Sequence, residues 1–473
     1  MVYKLTMQIT LPHHLGECRP GAYLVGGSIR DLIRGITPLD YDIAVGTDPE
    51  GFARRIAERT HGRLVVLGKK RFSVYRVVSA HWVLDVTSYK GRDICQDLLS
   101  RDFTINTLAC DLATGRIIDV TGGLEDLRNG VVRMASPAIF RKDPIRLIRA
   151  FRMAAMLGFR IDQETLNIIG DQADLIATAA AERIWSELVR ILACTDAFPI
   201  LRQMADTRVL FHIIPELEVL KIFFLNQCDR HDAFNHSLRS VEVLECLLRL
   251  PEACLSPDAV DFVGKIEWRL RALLKLSALL HNIARPSYRL KDNDGLSHDA
   301  GYIDRETAMV QIIGRRLRLS NHDRRWVATL VQRHQDPRSL FLACRGDITQ
   351  ANLELGRFLR QWGGLTPYLI LLCLACYQAN GDSNSVLVTG IIDFLQDLLD
   401  DYFKKERRGC ALTVLTGHDL IESFGLEPSP LVGALLRQIK ELQLAGNITG
   451  RQEAMAWVTA NLDAFRKAQS QAE

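Results

Sequence analysis

An α+β chain is predicted, with an N-terminal domain built on a mixed β-sheet and an all-α remainder, and three observations predict it. Between about residues 20 and 130, short β-rich runs alternate with helical patterns. From about residue 138 onward the β signal fades and apolar residues recur at helical spacing. The composition, 48% hydrophobic and 24% charged, is that of an ordinary globular protein and excludes disordered, collagenous and coiled-coil chains. At 473 residues the chain is long enough for about three domains.

In order, the strand-like runs are AYLV, DYDIAV, RLVVLG, FSVYRVV and HWVLDVT, with GGSIRDLIRG and PEGFARRIAERT as helical segments between them. The later helices are read from IRLIRAFRMAAMLGF, ERIWSELVRIL, LRALLKLSALLHNIA and PLVGALLRQIKELQLAG, each with an apolar face at 3.6-residue spacing. Breaks are expected between Pro215 and Arg230, between Lys291 and Ser297, and between Lys404 and Cys410.

Charge excludes one class of partner binding. With 59 basic and 56 acidic residues the net charge is only +3, so any nucleic-acid contact has to come from locally clustered Arg and Lys. Eleven irregularly spaced cysteines in so large a chain suit a reduced cytoplasmic protein better than a disulfide framework. The N-terminus has no uninterrupted apolar core with a small-residue cleavage site, and no apolar run approaches the roughly 20 residues that span a bilayer, so no membrane association is expected.

Two segments carry chemistry. In Tyr23-Leu-Val-Gly-Gly-Ser-Ile-Arg-Asp31 a strand meets a double glycine and a helix start. Gly26 and Gly27 let backbone approach a ligand, the free amides that follow can cradle phosphate, and Arg30 sits one turn in with a guanidinium fork; alone, such a turn more often merely reverses the chain. Asp40-Tyr-Asp42 follows, and on a strand residues i and i+2 share a face. Two carboxylates so close call for a cation, and hard oxygen ligands suit Mg²⁺ bridging substrate phosphates. The bland alternative is a solvated Asp-x-Asp at a strand start.

This GGxxRD…DxD order resembles the head of the class II nucleotidyltransferases, the tRNA CCA-adding enzymes and bacterial poly(A) polymerases of the polymerase-β superfamily. Further segments agree in order: Arg101-Asp-Phe-Thr-Ile-Asn106 resembles their RRDFTxN element, Asp119-Val-Thr-Gly-Gly-Leu-Glu-Asp-Leu127 their D-x-x-GG-x-x-DL element, and Asp143 to Arg152 their D-x-x-R-x-x-R-x-x-R neck helix. The resemblance implies a nucleotidyltransferase head over 1–137, a helical neck over 138–215 that selects the base, a helical body over 216–403 and a helical tail over 404–473. It implies that Gly26, Gly27, Arg30, Arg101, Asp143, Arg146, Arg149 and Arg152 bind nucleotide, and that Asp40 and Asp42 are catalytic and hold Mg²⁺. The implied reaction adds CMP and AMP from CTP and ATP to the tRNA 3′ acceptor end. Asp85 lies by order where polymerase-β relatives carry a third carboxylate, but the residues alone read it as a strand-end Asp.

The neck can be reasoned about on its own. Asp143 and Arg146, three apart on a helix, present an acceptor beside a donor fork, as the pairing edge of C or A requires, whereas U and G offer the wrong pattern. The alternative is an amphipathic helix with solvated Arg residues and Ile145, Ile148 and Phe151 buried.

Some residues depart from the family pattern. Lys142 stands where many CCA enzymes have Glu, Ser100 replaces the first Arg of RRDF, and only YKGRDICQDLLS links the strand ending near Ser88 to Arg101, a short connection of the kind that accompanies enzymes that stop after CC, although some full CCA enzymes also have compact connections. Val66 to Phe72 loosely resembles a poly(A) polymerase signature, or is a basic hairpin turn. Residues from about 230 to 380 resemble an HD phosphohydrolase domain through His236, His281, His298 and His334, but Asn282 and Cys376 stand where metal-binding Asp residues belong. An amide and a thiol weaken a hard-cation site, so a structural relic is expected. Cys373 and Cys376 have CxxC spacing in an apolar helix without a second pair and read as buried thiols. Rival functions are CC-only, A-only or poly(A) addition, an HD-type phosphohydrolase, and a non-catalytic RNA-binding protein.

Overall fold

The sheet of the N-terminal half mixes two kinds of strand: DYDIAV opens with exposed aspartates on either side of a buried Tyr41, whereas AYLV and LACD are largely apolar and mostly buried. In the computed structural model, which describes residues 20–68, 73–222, 232–284, 300–344, 348–379, 386–407, 415–427, 429–444, 447–448 and 450–470, seven strands form one mixed sheet in the order β3-β4-β5-β2-β1-β6-β7. They are β1 Ala22–Val25, β2 Asp40–Val45, β3 Arg63–Leu67, β4 Val74–Val78, β5 Val83–Ser88, β6 Leu108–Asp111 and β7 Ile117–Asp119. The β2·β5 pair is parallel and the other neighbours are antiparallel. Lys69 to Phe72 of the poly(A)-like segment, His298, and the expected break at Lys291 to Ser297 lie outside the described residues.

Strands β1 to β5 fall on the five runs read from the sequence. Strands β6 and β7 are additional. LACD and IID are too short to show a period of two, and β6 is buried between neighbours, so it carries no polar alternation.

Among the described residues four helices accompany this sheet: α1 Gly27–Ile33, α2 Pro49–Thr60, α3 Ile94–Leu99 and α4 Gly123–Arg128. Helix α2 starts where Asp48 accepts from the Gly51 amide at 2.9 Å and Pro49 presets the first turn. The start of α4 is braced by one carboxylate. Asp119 Oδ1 accepts from the amides of Thr121, Gly122 and Gly123, and Oδ2 from Leu124, at 2.9 to 3.1 Å. A Cβ on Gly123 would lie 2.1 Å from the Thr104 carbonyl oxygen, so the second glycine of the D-x-x-GG element is a packing requirement beneath the Arg101–Asn106 segment.

Beyond the head come α5 Ile139–Lys142, α6 Arg146–Leu157, α7 Gln163–Asp171 and α8 Ala181–Ala193. Helix α6 packs against α8 and buries Leu147, Ile148 and Phe151 completely, with Ile145 only 1% exposed at its N-cap. Truncating a side chain such as Phe151 to Ala costs about 3–5 kcal/mol. One expectation is corrected here. Asp143 is not on the helix that carries Arg146, Arg149 and Arg152; it has extended backbone, φ −150°, between α5 and α6. The cause is Pro144, whose ring disfavours helical backbone in the residue before it.

By its contacts the chain divides into two units, Met1–Cys194 with Pro199–Pro215, and Thr195–Phe198 with Glu216–Glu473. The second is helical in its described residues. Its first core surrounds Ala233–Arg249, Trp268–Leu280, Asn321–Arg333 and Thr366–Gln378. A buried ion pair, Lys275 Nζ to Glu245 Oε1 at 2.7 Å, lies there, and Glu245 also accepts from the amides of Ala197 and Phe198. A second core gathers Leu420, Leu435, Ile439, Ala454 and Val458. Helix Ile348–Trp362, within the range expected for the body, packs on Pro430–Leu444 of this core through Leu353 and an Arg360–Glu441 ion pair.

Candidate active site

One row across the sheet contains most of the head's charged chemistry. Arg76 of β4 pairs in register with Asp85 of β5, Asp85 with Asp42 of β2, and Asp42 with Val25, the last residue of β1 before the double glycine. Alternation turns Tyr41 and Ile43 into the core at 2% and 0% exposure and leaves Asp40 and Asp42 exposed on the other face. The two carboxylates therefore share a face, as the i, i+2 spacing predicts.

The phosphate-loop candidate closes directly onto Asp42. Gly26 has φ +72°, and a Cβ there would stand 3.2 Å from both Asp42 Oδ2 and Arg101 Nη1. Glycine is needed for both reasons. Buried Ser28 ties the turn down: its hydroxyl donates to the Val25 carbonyl at 2.9 Å, and its oxygen accepts from the Asp42 amide at 3.3 Å. Gly27 lies beside Arg30, whose Nη2 is 3.4 Å from the position of a Cβ.

Electrostatics mark Asp42 within this group. Crowding by surrounding protein lifts its carboxyl above the usual carboxylate range, Asp85 and Asp40 add like charge in the same direction, and Arg101 and Arg76 pull it back. Among the described residues no three His, Cys, Asp or Glu side chains converge as a closed metal cage would require. What the face offers is an open pair of hard oxygen donors, which fits a cation whose remaining ligands come from substrate phosphate and water.

Arginines from several segments meet around this face. Arg101 is anchored on Asp97, with Nη2 to Oδ2 2.8 Å, and Asp97 also accepts from the Lys90 amide at 2.9 Å. Arg30 donates from Nη1 to Asn106 Oδ1 at 3.0 Å and from Nε to Asp31 at 2.9 Å. Asn106 in turn donates to Asp102 Oδ1 at 2.9 Å, and Asp102 Oδ2 receives Arg149 Nη1 at 3.2 Å. The phosphate-loop arginine is thus linked through two side chains of the Arg101–Asn106 segment to helix α6.

The neck residues fall into two groups. Arg149 and Arg152 are both held by Glu187 of α8, and Arg152 also approaches the Met156 sulfur. Nε and Nη1 of each are committed to the protein. Arg146 is different: only Nη2 has a partner, the Ser100 carbonyl at 3.4 Å, while Nε and Nη1 are shut off from solvent with no hydrogen-bond partner. Orphaned donors on a buried guanidinium are costly unless a ligand completes them. Asp143 stands nearby with both carboxylate oxygens engaged by Arg183, at 3.1 and 2.9 Å.

In the second unit, His236, His281 and His334 stack edge to face with centroids 5.2 Å apart. His281 Nδ1 and His334 Nδ1 donate to carbonyls three residues back, at 2.7 and 2.6 Å. Asn282 Nδ2 lies 2.8 Å from His281 Nε2, which makes that nitrogen an acceptor and occupies the lone pair a metal would need. The cluster is buried and no metal cage is found there among the described residues.

Against known proteins, residues 22–133 match the family model described as the poly A polymerase head domain, and 158–221 the one described as the probable RNA and SrmB-binding site of polymerase A. The A-adding tRNA nucleotidyltransferase of Deinococcus radiodurans is 31% identical over 448 residues, covering 93% of this chain and 95% of that protein. The chain belongs to the tRNA nucleotidyltransferase family. The CC-adding tRNA nucleotidyltransferase of Synechocystis is 27% identical over 450 residues, 94% of this chain and 95% of the relative. The fold of this nucleotidyltransferase is shared with the Thermotoga maritima CCA-adding enzyme solved in complex with tRNA, at a TM-score of 0.65 and 22% identity over 93% of this chain and 91% of that one. The α+β architecture read from the sequence is therefore borne out, and the chain is an enzyme.

Sequence reasoning missed several residues of the candidate site. Asp102 and Asn106 lay inside a quoted motif, yet nothing in their spacing shows that they join Arg30 to Arg149. Arg183 and Glu187 sit on an amphipathic helix about 40 residues downstream of their partners and carry no local signal. Arg76 is visible only through strand register.

Proposed function

We propose that this enzyme adds CMP and AMP from CTP and ATP to the 3′ end of tRNA without a nucleic-acid template. The observation that carries the reading is the closure of the Gly26 turn on Asp42 Oδ2 and Arg101 Nη1, which brings a backbone cradle, a carboxylate pair and a fixed cation to one point. Its division of labour would be a head over 1–137, a neck over 138–215, a body over 216–403 and a tail over 404–473.

In this reading the first amides of α1 and the Arg30 and Arg101 guanidiniums receive the triphosphate. Asp40 and Asp42 would hold Mg²⁺, which when bound supplies charge neutralisation at the phosphates and makes a nearby hydroxyl more acidic. The tRNA 3′-hydroxyl attacks the α-phosphate and pyrophosphate leaves; the chain's contribution is to align the two and keep them aligned. Arg146, whose guanidinium is held only through Nη2 to the Ser100 carbonyl at 3.4 Å, would turn its uncommitted donors to the base edge, and Asp143, oriented by Arg183, would offer a remaining lone pair as the acceptor. Arg149 and Arg152, committed to Asp102 and Glu187, act as positioning residues for that pair.

A second reading, addition of CC only, is favoured by the Tyr89–Ser100 connection. It is short and pinned, with Asp93 capping α3 through the Gln96 amide at 2.9 Å and Asp97 holding both Lys90 and Arg101. We place the enzyme in the cytoplasm. The described cysteines are all free thiols, three of them buried, and among the described residues no helix is long and apolar enough to cross a membrane.

The test uses tRNA transcripts ending at the discriminator base, at C and at CC, each with a single labelled nucleotide. CTP incorporated on the first two and ATP only on the third supports full CCA addition. CTP without ATP selects the second reading. No incorporation on any transcript overturns both.

A further inference from the structure

Asp85 and Arg76 have been given no ligand of their own in the reading above, although Asp85 is the strand neighbour of Asp42. The two are Cα partners across the parallel β2·β5 pair, about 4.8 Å apart by the spacing of neighbouring strands. Their side chains therefore emerge on the same face, within reach of one cation. Yet each Asp85 oxygen already accepts from one guanidinium, which sets the carboxylate's direction: Arg76, its direct partner on β4, donates from Nε and Nη2 at 2.7 Å each.

We propose that Arg76 is a positioning residue that withholds the Asp85 carboxylate from the metal-binding face, leaving a two-carboxylate centre made by Asp40 and Asp42. This rests on the reading that Asp40 and Asp42 hold the metal. A fork-to-fork guanidinium pair fixes both the direction and the charge of the carboxylate it grips. Moving Asp85 onto a divalent ion would break two charge-assisted hydrogen bonds and bring a dication against a guanidinium that does not deprotonate. The absence of any three-residue metal cage among the described residues agrees with this arrangement.

The consequence concerns when the metal binds. A centre with two carboxylates and a neighbouring guanidinium attracts a bare divalent ion weakly, since affinity follows ligand charge and number. The ion then arrives with the nucleotide's phosphates, which supply the missing negative charge. A freed Asp85 would convert the face into a three-carboxylate site able to hold metal before substrate.

The test is Mn²⁺ binding to the full-length protein by titration calorimetry and electron paramagnetic resonance, without nucleotide or RNA. Asp85→Asn is expected to leave Mn²⁺ affinity within about twofold, whereas Arg76→Gln tightens it by about tenfold, and Arg76→Gln with Asp85→Asn loses most of that gain. Arg76→Lys, which cannot fork both oxygens, should fall between, and it replaces Arg76→Gln if that variant does not fold. Loss of affinity in Asp85→Asn comparable to that in Asp42→Asn would make Asp85 an ordinary ligand and overturn the proposal. So would a gain that persists in the double variant, which would reduce Arg76 to a repulsive charge. Unchanged Mn²⁺ binding in Asp42→Asn would instead remove the two-carboxylate reading, and the proposal with it.

Discussion

Arg183 of α8 grips Asp143 fork to fork, at 3.1 and 2.9 Å, across 40 residues of sequence. The pair fixes the protonation of the proposed base-reading acceptor. Burial pushes the Asp143 carboxyl upward, but hydrogen bonds and charge from Arg183, with Arg149 and Arg146 behind them, bring it below its ordinary value. For a depressed carboxylate the pair's stabilisation is complete above the unfolded pKa and is lost only as pH falls through the lower folded value. At neutral pH Asp143 is therefore an ionised acceptor with a set direction. Arg183→Ala should cut the CTP-over-UTP ratio in single-turnover incorporation by about 3–30 fold, and Arg183→Lys should restore part of it. Equal slowing of both nucleotides would leave Arg183 a structural role alone.

The orphaned donors of Arg146 separate base reading from phosphate binding. Arg146→Ala should shift the ratios of CTP and ATP to UTP and GTP by about 10 to 150 fold, because losing a charge-assisted bond is worth roughly 1.5 to 3 kcal/mol. Arg30→Ala should slow all four nucleotides by a similar factor, since phosphates carry no base identity. Single-turnover rates for the four nucleotides on one matched tRNA decide it, and unchanged ratios at Arg146 would leave base selection without a reader.

Much of this site was legible because its parts are local. Gly26, Asp40 and Asp42 lie within one strand-turn-helix-strand stretch whose periodicity dictates which way each side chain points. The misplacement of Asp143 came from extending a three-residue spacing through Pro144, where the ring's steric demand outweighs periodicity. What joins the parts is not local. The Arg30–Asn106–Asp102–Arg149 chain and the Arg76–Asp85–Asp42 row depend on tertiary packing and strand register, and no spacing along the sequence encodes them. In the HD-like cluster the substitution was legible, and the structure adds its contact: Asn282, in place of Asp, sits against His281 Nε2.

Asp336 in the second unit gives a stability prediction with a definite sign. Burial pushes its carboxyl up to about 6, only partly offset by Arg333. A carboxyl raised on folding costs nothing when protonated, so stability is highest below the unfolded pKa and falls as pH rises through about 6. Asp336→Asn should remove that fall and gain about 1–2 kcal/mol at pH 7.5, allowing about 1.4 kcal/mol per unit and a discount for partial exposure. Thermal unfolding of both proteins from pH 4 to 7.5 measures it, and parallel pH profiles would contradict the assignment.

The histidine cluster of the second unit should be chemically silent. With Mg²⁺, Mn²⁺ or Ni²⁺ supplied, the purified enzyme is expected to show no phosphatase or 2′,3′-cyclic phosphodiesterase activity above background, because the neutral amide of Asn282 stands against His281 Nε2 where an anionic ligand would be needed. Metal-dependent hydrolysis that disappears in His281→Ala would show that the cluster is a working site.

The central claim is that Asp40 and Asp42 organise the chemistry of nucleotide addition and not the binding of RNA. The direct measurement pairs nucleotide incorporation with tRNA affinity in Asp40→Ala and Asp42→Ala. Both variants should lose incorporation by at least about 10³-fold while tRNA affinity stays within a few fold, because the carboxylates act at the phosphates. Incorporation at more than a few per cent of the unsubstituted rate in both variants, with tRNA binding intact, would contradict the account.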